Sequence, residues 1–145
     1  MAGLIDGEGC IIIEKQKGKG RGTFNPYGRF LLRLEILNTD SMLMEWLRKN
    51  YGGYVFIAKT RQKIHHKFEQ HWRLHSQKAA SLLESCLPFL KVKTEQAKSA
   101  ISFQKTFPSK IERHSNGQVM RLDSKLFEER QSYYEKMKTL NRKGC

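Results

Sequence analysis

Hydrophobic and polar residues alternate most regularly between Arg29 and Leu37. One side of this segment is apolar and consists of Phe30, Leu32, Leu34 and Ile36. The other side is mostly charged. A period of two is typical of a strand with one buried face. The segment therefore predicts a strand in a sheet that helices cover on one face only.

Three further segments are rich in β-branched or aromatic residues and predict strands: Cys10–Lys17, Tyr54–Thr60 and Phe68–His75. The residues that we expect to face the core are Val55 and Ile57 in the second of these segments, and Phe68, Trp72 and Leu74 in the third. A register shifted by one residue in the strand 54–60 would instead bury Tyr54 and Phe56.

Four later segments space apolar residues three or four positions apart, which is typical of a helix with one buried side. Polar residues begin them: Asp40, at the end of the capping sequence 38–40, then Ser76, Thr94 and Asp123. Their apolar or small residues are Leu43, Trp46, Leu47 and Tyr51; Ala79, Ala80, Leu83 and Leu87; Ala97, Ala100 and Ile101; and Leu126, Tyr133, Met137 and Leu140. Gly52-Gly53 ends the first helix and Pro88 ends the second.

The chain opens with a segment of unusual composition, Met1-Ala2-Gly3-Leu4-Ile5-Asp6-Gly7-Glu8-Gly9. Ala2, Gly3 and Gly7 are small, and the two glycines would share one face of a helix. A face without side chains lets the backbone of a second helix approach closely. We expect Gly9 to end the helix with a positive φ.

Glu8 would lie in the last turn of this helix, where unpaired carbonyl groups already concentrate negative charge. One interpretation is a solvated acid at a helix end. The other interpretation is a metal ligand, because a divalent cation would be bound by both the carboxylate and the carbonyl groups at the helix end, and would remove the repulsion between them.

Charge is the strongest signal in the composition. The chain of 145 residues contains 27 Lys and Arg but 14 Asp and Glu, and its formal net charge is +13. Such a charge on a chain of one-domain size favours a polyanionic partner, above all nucleic acid. No run of 18 apolar residues occurs, so we expect no membrane partner. Cys10, Cys86 and Cys145 are widely separated, which favours reduced thiols in an intracellular, non-secreted protein.

The opening segment resembles the motif of the LAGLIDADG homing endonucleases. It departs from that motif at Met1, Gly7 and Glu8, and Glu8 keeps the carboxylate. The family's motif helix normally begins some residues earlier, so the resemblance predicts a shorter helix or a trimmed chain. It implies an α+β fold with an αββαββα core over about 1–106, a curved antiparallel sheet that forms a DNA-binding saddle, and C-terminal helices over about 107–145. The chain would be a single domain.

The segment 88–97 is similar to a second signature of the family, in which a lysine follows a Pro-Phe-Leu turn. Lys93 occupies the position of the family's active-site lysine. A cation near the scissile phosphate stabilises the developing charge. The alternative is a solvent-facing lysine in a loop.

Asn38 falls where the family carries a polar residue that orders active-site water, and helix capping is its alternative role. Asp6 would serve helix packing and hydrogen bonds across the dimer interface.

The outward sheet face and its rim are the predicted DNA-binding surface. Arg, Gln and Glu side chains read base edges in the major groove, and rim cations bind phosphates. The candidates are Ile12, Glu14, Gln16, Arg29, Arg33, Glu35, Tyr54, Lys59, Arg61, Lys63, His71 and Arg73. Arg29 and Arg33 are the best candidates for base contacts.

On a strand, His71 and His75 would be about 13 Å apart, which argues against a zinc site.

The resemblance implies a homodimer that pairs through the first helix and cuts a long, roughly palindromic double-stranded DNA target. Glu8, with the Gly7 carbonyl, would hold Mg²⁺, other divalent cations such as Mn²⁺ or Ca²⁺ would be able to substitute for it in the site, and cleavage would leave 3′ overhangs. No small-molecule substrate is expected. The alternative is a LAGLIDADG-type RNA maturase, or a nucleic-acid-binding protein without catalytic activity.

Overall fold

The computed structural model of the chain describes residues 1–16, 29–57, 68–107 and 124–142. The elements in chain order are α1 (Ala2–Glu8), β1 (Gly9–Gln16), β2 (Arg29–Asn38), α2 (Ser41–Tyr51), β3 (Tyr54–Ile57), β4 (Gln70–His75), α3 (Ser76–Cys86), a 3₁₀ turn (Leu87–Phe89), α4 (Thr94–Lys105) and α5 (Ser124–Asn141). The predicted αββαββα order is confirmed from α1 to α3, and α4 and α5 follow it. The predicted helix start at Asp123 and the ends of two predicted strands, Lys17 and residues 58–60, lie outside the described residues.

The four strands form one antiparallel sheet in the order β1-β2-β4-β3. Its register aligns Cys10, Glu35, Arg73 and Tyr54 in one row across all four strands. The described helices cover only one face, where the predicted apolar side of β2 is buried. The opposite face carries the charged side of β2, as its alternation predicts.

The core lies between the sheet and the helices. Trp72 from β4 and Phe103 from α4 are its largest fully buried side chains, and Ile5 of α1 joins them. Ala79, Ala97 and Ala100 are also fully buried, which lets α3 and α4 approach each other closely. Burial of this apolar surface is the main favourable contribution to folding.

Of the predicted caps of α2 and α3, the first is confirmed and the second is wrong. Asp40 caps α2, because its carboxylate accepts hydrogen bonds from the backbone N–H groups of Met42 (2.8 Å) and Leu43 (3.2 Å). The predicted cap at Ser76 is wrong: Ser76 is the first residue of α3 and has φ +51°, and His75 precedes the helix without a side-chain cap.

Several predicted core positions are exposed. Trp46 on α2 is 47% exposed, and Met44 fills the core beside Leu47 in its place. Ile57 and Phe68 are also exposed, and Phe68 lies before β4, which begins at Gln70. The predicted strand 68–75 was therefore too long at its start, whereas residues 58–60 of the predicted strand 54–60 lie outside the described residues. Tyr54 and Phe56 lie on the outer face as the main prediction had it.

Gly9 does not adopt the predicted positive φ. Its φ is −81° and it opens β1 directly. A Cβ atom at this position would lie 2.6 Å from the Ile5 carbonyl oxygen and 2.8 Å from the Ile5 Cα. The glycine is therefore required by the tight passage from α1 into β1 and not by a left-handed conformation.

Gly52 and Gly53 allow a matched test of how closely the backbone at Gly53 packs against β4. Both have positive φ, +75° and +78°, so alanine is strained at either position. Only at Gly53 would the new Cβ also collide with backbone, at 2.3 Å from the Arg73 carbonyl oxygen; at Gly52 the nearest atom is Lys78 Nζ at 3.9 Å. We expect Gly53→Ala to lower the free energy of unfolding by about 1–3 kcal/mol more than Gly52→Ala. Urea unfolding followed by circular dichroism measures this difference, and equal losses would contradict it.

Candidate active site and nucleic-acid-binding face

Glu8 lies at the exposed end of α1, next to the end of β2. Asn38 Nδ2 donates a hydrogen bond to Glu8 Oε2, and Asn38 Oδ1 accepts one from the backbone N–H of Asp40 at 2.9 Å. Asn38 thus connects the motif carboxylate to the start of α2, which Asp40 itself caps. The structure brings these two candidate catalytic residues into direct contact.

Asp6 and the turn before α4 exchange hydrogen bonds. The Asp6 carboxylate accepts from the backbone N–H groups of Lys91 (2.7 Å), Val92 (3.2 Å) and Lys93 (2.9 Å). In return, Lys93 Nζ donates to the Asp6 backbone carbonyl at 2.6 Å. We call this set of four hydrogen bonds the Asp6–Lys93 clasp. The sequence-based expectation gave Asp6 hydrogen bonds across a dimer interface; here both of its carboxylate oxygens are used within the chain.

The clasp determines the surroundings of both charged groups. Lys93 is only 4% exposed, so it is not the solvent-facing loop lysine that was its alternative interpretation. Partial burial by itself raises the pKa of the Asp6 carboxyl. The three backbone N–H groups and the Lys93 charge outweigh that effect and hold the pKa below its ordinary value.

The groups available to a cation at the end of α1 are oxygen atoms. They are the exposed Glu8 carboxylate and the Gly7 carbonyl, which has no acceptor role inside a helix that ends at Glu8. Oxygen donors suit Mg²⁺ or Ca²⁺. Within the part of the chain that the structure describes, no three His, Cys, Asp or Glu side chains cluster closely enough to hold a metal. Because both Asp6 carboxylate oxygens are engaged in the clasp, Glu8 is the acid of α1 that remains for such a site.

One face of α1 is open. Cβ atoms built on Gly3 and Gly7 would meet nothing within 4 Å among the described residues. The 3₁₀ turn packs beside this helix, and Phe89 and Val92 nearby are exposed apolar side chains. The expected smooth face is thus present and is flanked by apolar surface.

The outer face of the sheet collects the remaining candidates that the structure describes. They are Ile12, Glu14 and Gln16 on β1, Arg29, Arg33 and Glu35 on β2, Tyr54 on β3, and His71 and Arg73 on β4. Lys59, Arg61 and Lys63 lie outside the described residues. Among the described residues, no helix is long and apolar enough to cross a bilayer.

Charged side chains on this face are largely paired with one another. Glu35 is 5% exposed and contacts Arg33, His71 and Arg73, and Arg33 also pairs with Glu14. Phe56, which the main prediction placed on this face beside Tyr54, stacks on the His71 ring with centroids 5.0 Å apart.

The sequence model of the LAGLIDADG endonuclease family matches residues 1–107. The chain belongs to the LAGLIDADG endonuclease family. The match spans α1 to α4 and includes Glu8, Asn38, Lys93 and the whole sheet. A comparison with curated proteins gave no match.

Solved structures of LAGLIDADG homing endonucleases share this fold. I-CvuI with its target in the presence of Ca matches with a TM-score of 0.67 at 20% identity, over 96% of this chain and 78% of that one. I-CvuI with the I-CreI target and Mg gives 0.70 at 19% identity over the same shares. The archaeal intron-encoded I-Vdi141I with DNA gives 0.69 at 14% identity, over 96% and 80% of the two chains. At these identities the likeness establishes the fold.

The Asp6–Lys93 clasp predicts a specific acid sensitivity. Folding lowers the pKa of Asp6, so the ionised carboxylate stabilises the folded chain. This contribution to the free energy of unfolding is complete above the ordinary aspartate pKa of about 4 and is lost as the pH falls through the lower pKa of the folded state. We expect Asp6→Asn to cost about 1 kcal/mol at pH 7, in the range of a lost helix cap. The difference in melting temperature from wild type should narrow below about pH 4. Thermal melts from pH 2 to 7 measure it.

The matched control is Glu84→Gln, which neutralises an exposed acid on α3 whose lysine partner, Lys105, is 3.6 Å away. It should leave the melting temperature nearly unchanged across the series. A difference between wild type and Asp6→Asn that stays constant with pH would contradict the role of the ionised Asp6 carboxylate.

Proposed function

We propose that the chain is a site-specific endonuclease that acts on double-stranded DNA as a homodimer, with Glu8 at the centre of each active site. Its target would be long and pseudo-palindromic, and cleavage would leave 3′ overhangs. The observation that carries the proposal is the exposed Glu8 carboxylate, held by Asn38 at the end of a helix whose glycine face is open.

The homodimer follows from what a single chain lacks. Each chain offers one carboxylate, and a smooth face at Gly3 and Gly7 lies on the same helix. Two such helices packed face to face would bring the two Glu8 residues together at a two-fold axis. A two-fold protein axis suits a palindromic DNA target.

The outer face of the sheet supports duplex DNA as the substrate. It is uncovered by the described helices, carries Arg29, Arg33 and Arg73, and belongs to a chain of net charge +13. Paired strands fit a major groove. The structures of I-CvuI and I-Vdi141I were determined with DNA, which supports the same class of partner here.

The donor set at α1 supports Mg²⁺ as the cofactor, held by the Glu8 carboxylate and the Gly7 carbonyl. A divalent cation bound there would supply a Lewis acid that neutralises phosphate charge and lowers the pKa of the attacking water. The I-CvuI structures contained Ca or Mg, consistent with a divalent ion.

Asn38 and Lys93 would act around Glu8 in different ways. Asn38 holds one Glu8 oxygen through its amide and so fixes the direction of the carboxylate. Lys93 places a positive charge beneath the carbonyl end of α1, where it offsets the negative end of the helix. A direct contact between Lys93 and a phosphate would require Nζ to leave the Asp6 carbonyl.

Cleavage of a randomised palindromic duplex library in Mg²⁺ tests the activity. We expect wild type to cut a subset of sequences, and Glu8→Gln to reduce cutting by at least about 100-fold while it still retains DNA. Glu45→Gln, at an exposed acid on α2, is the control and should cut like wild type. If wild type binds duplexes without cutting any, the nuclease proposal fails, and a preference for structured RNA would support the maturase instead.

Gly3→Leu tests the dimer. The side chain has open space within the chain, so the fold should persist, and leucine is the better helix former. On the proposed interface the added bulk would hold two helices apart. We expect a monomer by sedimentation equilibrium and loss of double-strand cleavage. Ser85→Leu places the same side chain at an exposed position on α3 and should leave both properties unchanged. A Gly3→Leu protein that still dimerises would show that this face is not the interface.

A further inference from the structure

A buried acid lies in the middle of an otherwise basic, uncovered sheet face. Glu35 is 5% exposed and lies in the row formed by Cys10, Glu35, Arg73 and Tyr54. A buried carboxylate on a DNA-binding surface is unfavourable for two reasons: it loses its hydration, and it repels the DNA phosphates. A carboxylate at this position is therefore expected to have a role that offsets these costs.

Three cationic or titratable side chains surround Glu35. Its Oε1 accepts from Arg73 Nε at 2.6 Å and lies 2.7 Å from His71 Nδ1, and its Oε2 lies 3.2 Å from Arg33 Nη2. Burial tends to raise the pKa of this carboxyl, but these partners outweigh it and lower the pKa, so Glu35 is a carboxylate at neutral pH.

Arg73 is fixed by three neighbours. Glu35 holds its Nε, the guanidinium lies over the Phe56 ring with Cζ 4.3 Å from the ring centroid, and the Tyr54 side chain forms a further hydrogen bond with it. The hydrogen bond uses Nε and not the terminal amino groups, which are the ones that pair with the O6 and N7 of guanine. A guanidinium fixed in plane and direction loses less conformational entropy when it binds.

Arg33 is engaged differently. Its Nη1 bonds to Glu14 and its Nη2 contacts Glu35, while its buried Nε has no partner among the described atoms. Both of its terminal nitrogens are thus directed at carboxylates of its own chain. The earlier expectation that Arg33 leads base recognition fits this geometry less well than Arg73 does.

We propose that Glu35 is a positioning residue for base recognition: it holds Arg73 against Phe56 so that Arg73 reads one guanine in the major groove of each half-site. Arg33, joined to both Glu14 and Glu35, braces the carboxylate. Glu35 itself touches no base. This inference rests on the proposed function, since it presumes that the sheet face binds duplex DNA.

Under this proposal, Glu35→Gln changes affinity and discrimination in opposite directions. Removal of one negative charge from the face should strengthen binding to non-specific duplex and steepen its salt dependence. Loss of the ion pair that directs Arg73 should weaken discrimination at one base pair per half-site by about tenfold. A merely structural role would weaken binding to all sequences alike.

The experiment measures competitive binding to a target selected by the wild-type protein and to the full set of its single base-pair variants. The proteins carry Glu8→Gln so that the DNA stays intact. The variants are Glu35→Gln, Arg73→Lys and the double variant. The control is Glu95→Gln, which removes the same charge at an exposed site on α4. Arg73→Lys keeps the charge but lacks the planar guanidinium, so it should lose the same guanine preference.

If Glu35 acts through Arg73, the double variant loses no more discrimination than Arg73→Lys alone. Thermal melting identifies any variant that fails to fold, and Arg73→Lys then tests the guanine preference by itself. A Glu35→Gln profile that matches Glu95→Gln, or a uniform loss over all positions, would overturn the inference and leave the proposed function standing. A wild-type protein that selects no duplex sequence would overturn both.

Discussion

The Asp6–Lys93 clasp is the contact on which the arrangement of the active end depends. Helix α1 has seven residues, and Ile5 is its one buried side chain. A helix of this length is not stable alone in water. The clasp joins its last turn to the start of α4, a helix whose own N-terminal residue provides no side-chain cap. One aspartate thus satisfies amide groups at the start of one helix and fixes the end of another.

This arrangement explains the different exposure of the two acids in the motif. Asp6 is tied to the backbone of its own chain on both oxygens, whereas Glu8, two residues later, is exposed and has Asn38 as its partner. Asp6 thus fixes the structure of the candidate site, and Glu8 is the acid that this structure leaves accessible. A group that must meet a cation or a phosphate has to remain accessible, while the residues that fix its position gain from burial, because low dielectric surroundings strengthen their hydrogen bonds.

Local sequence pattern was sufficient for the order of elements but not for their ends or for long-range pairs. The alternation in β2 and the cap at Asp40 depend on neighbours in the chain, and both predictions were confirmed. Trp46 and Met44 are both apolar and close in sequence, so the choice of which one enters the core depends on the angle at which α2 meets β4. The bonds between Asp6 and the turn at 91–93 span 85 to 87 residues and leave no periodic signal. The resemblance identified the residues at both ends of the clasp without indicating that they bond to each other.

The same limit applies to the sheet face, and it changes how a basic surface is interpreted. The sequence predicted that Arg33 and Arg73 lie on the same outward face of the sheet, and it favoured Arg33 over Arg73 for base contacts. The antiparallel register makes them unequal, because it sets Arg73 directly opposite Glu35 and leaves Arg33 between two carboxylates. On the proposed DNA-binding face, net charge would account for attraction to DNA, but the acids within the face decide which cations remain available for it. Such a surface would gain selectivity from its negative groups, since those groups fix the direction of a cation at a cost in affinity.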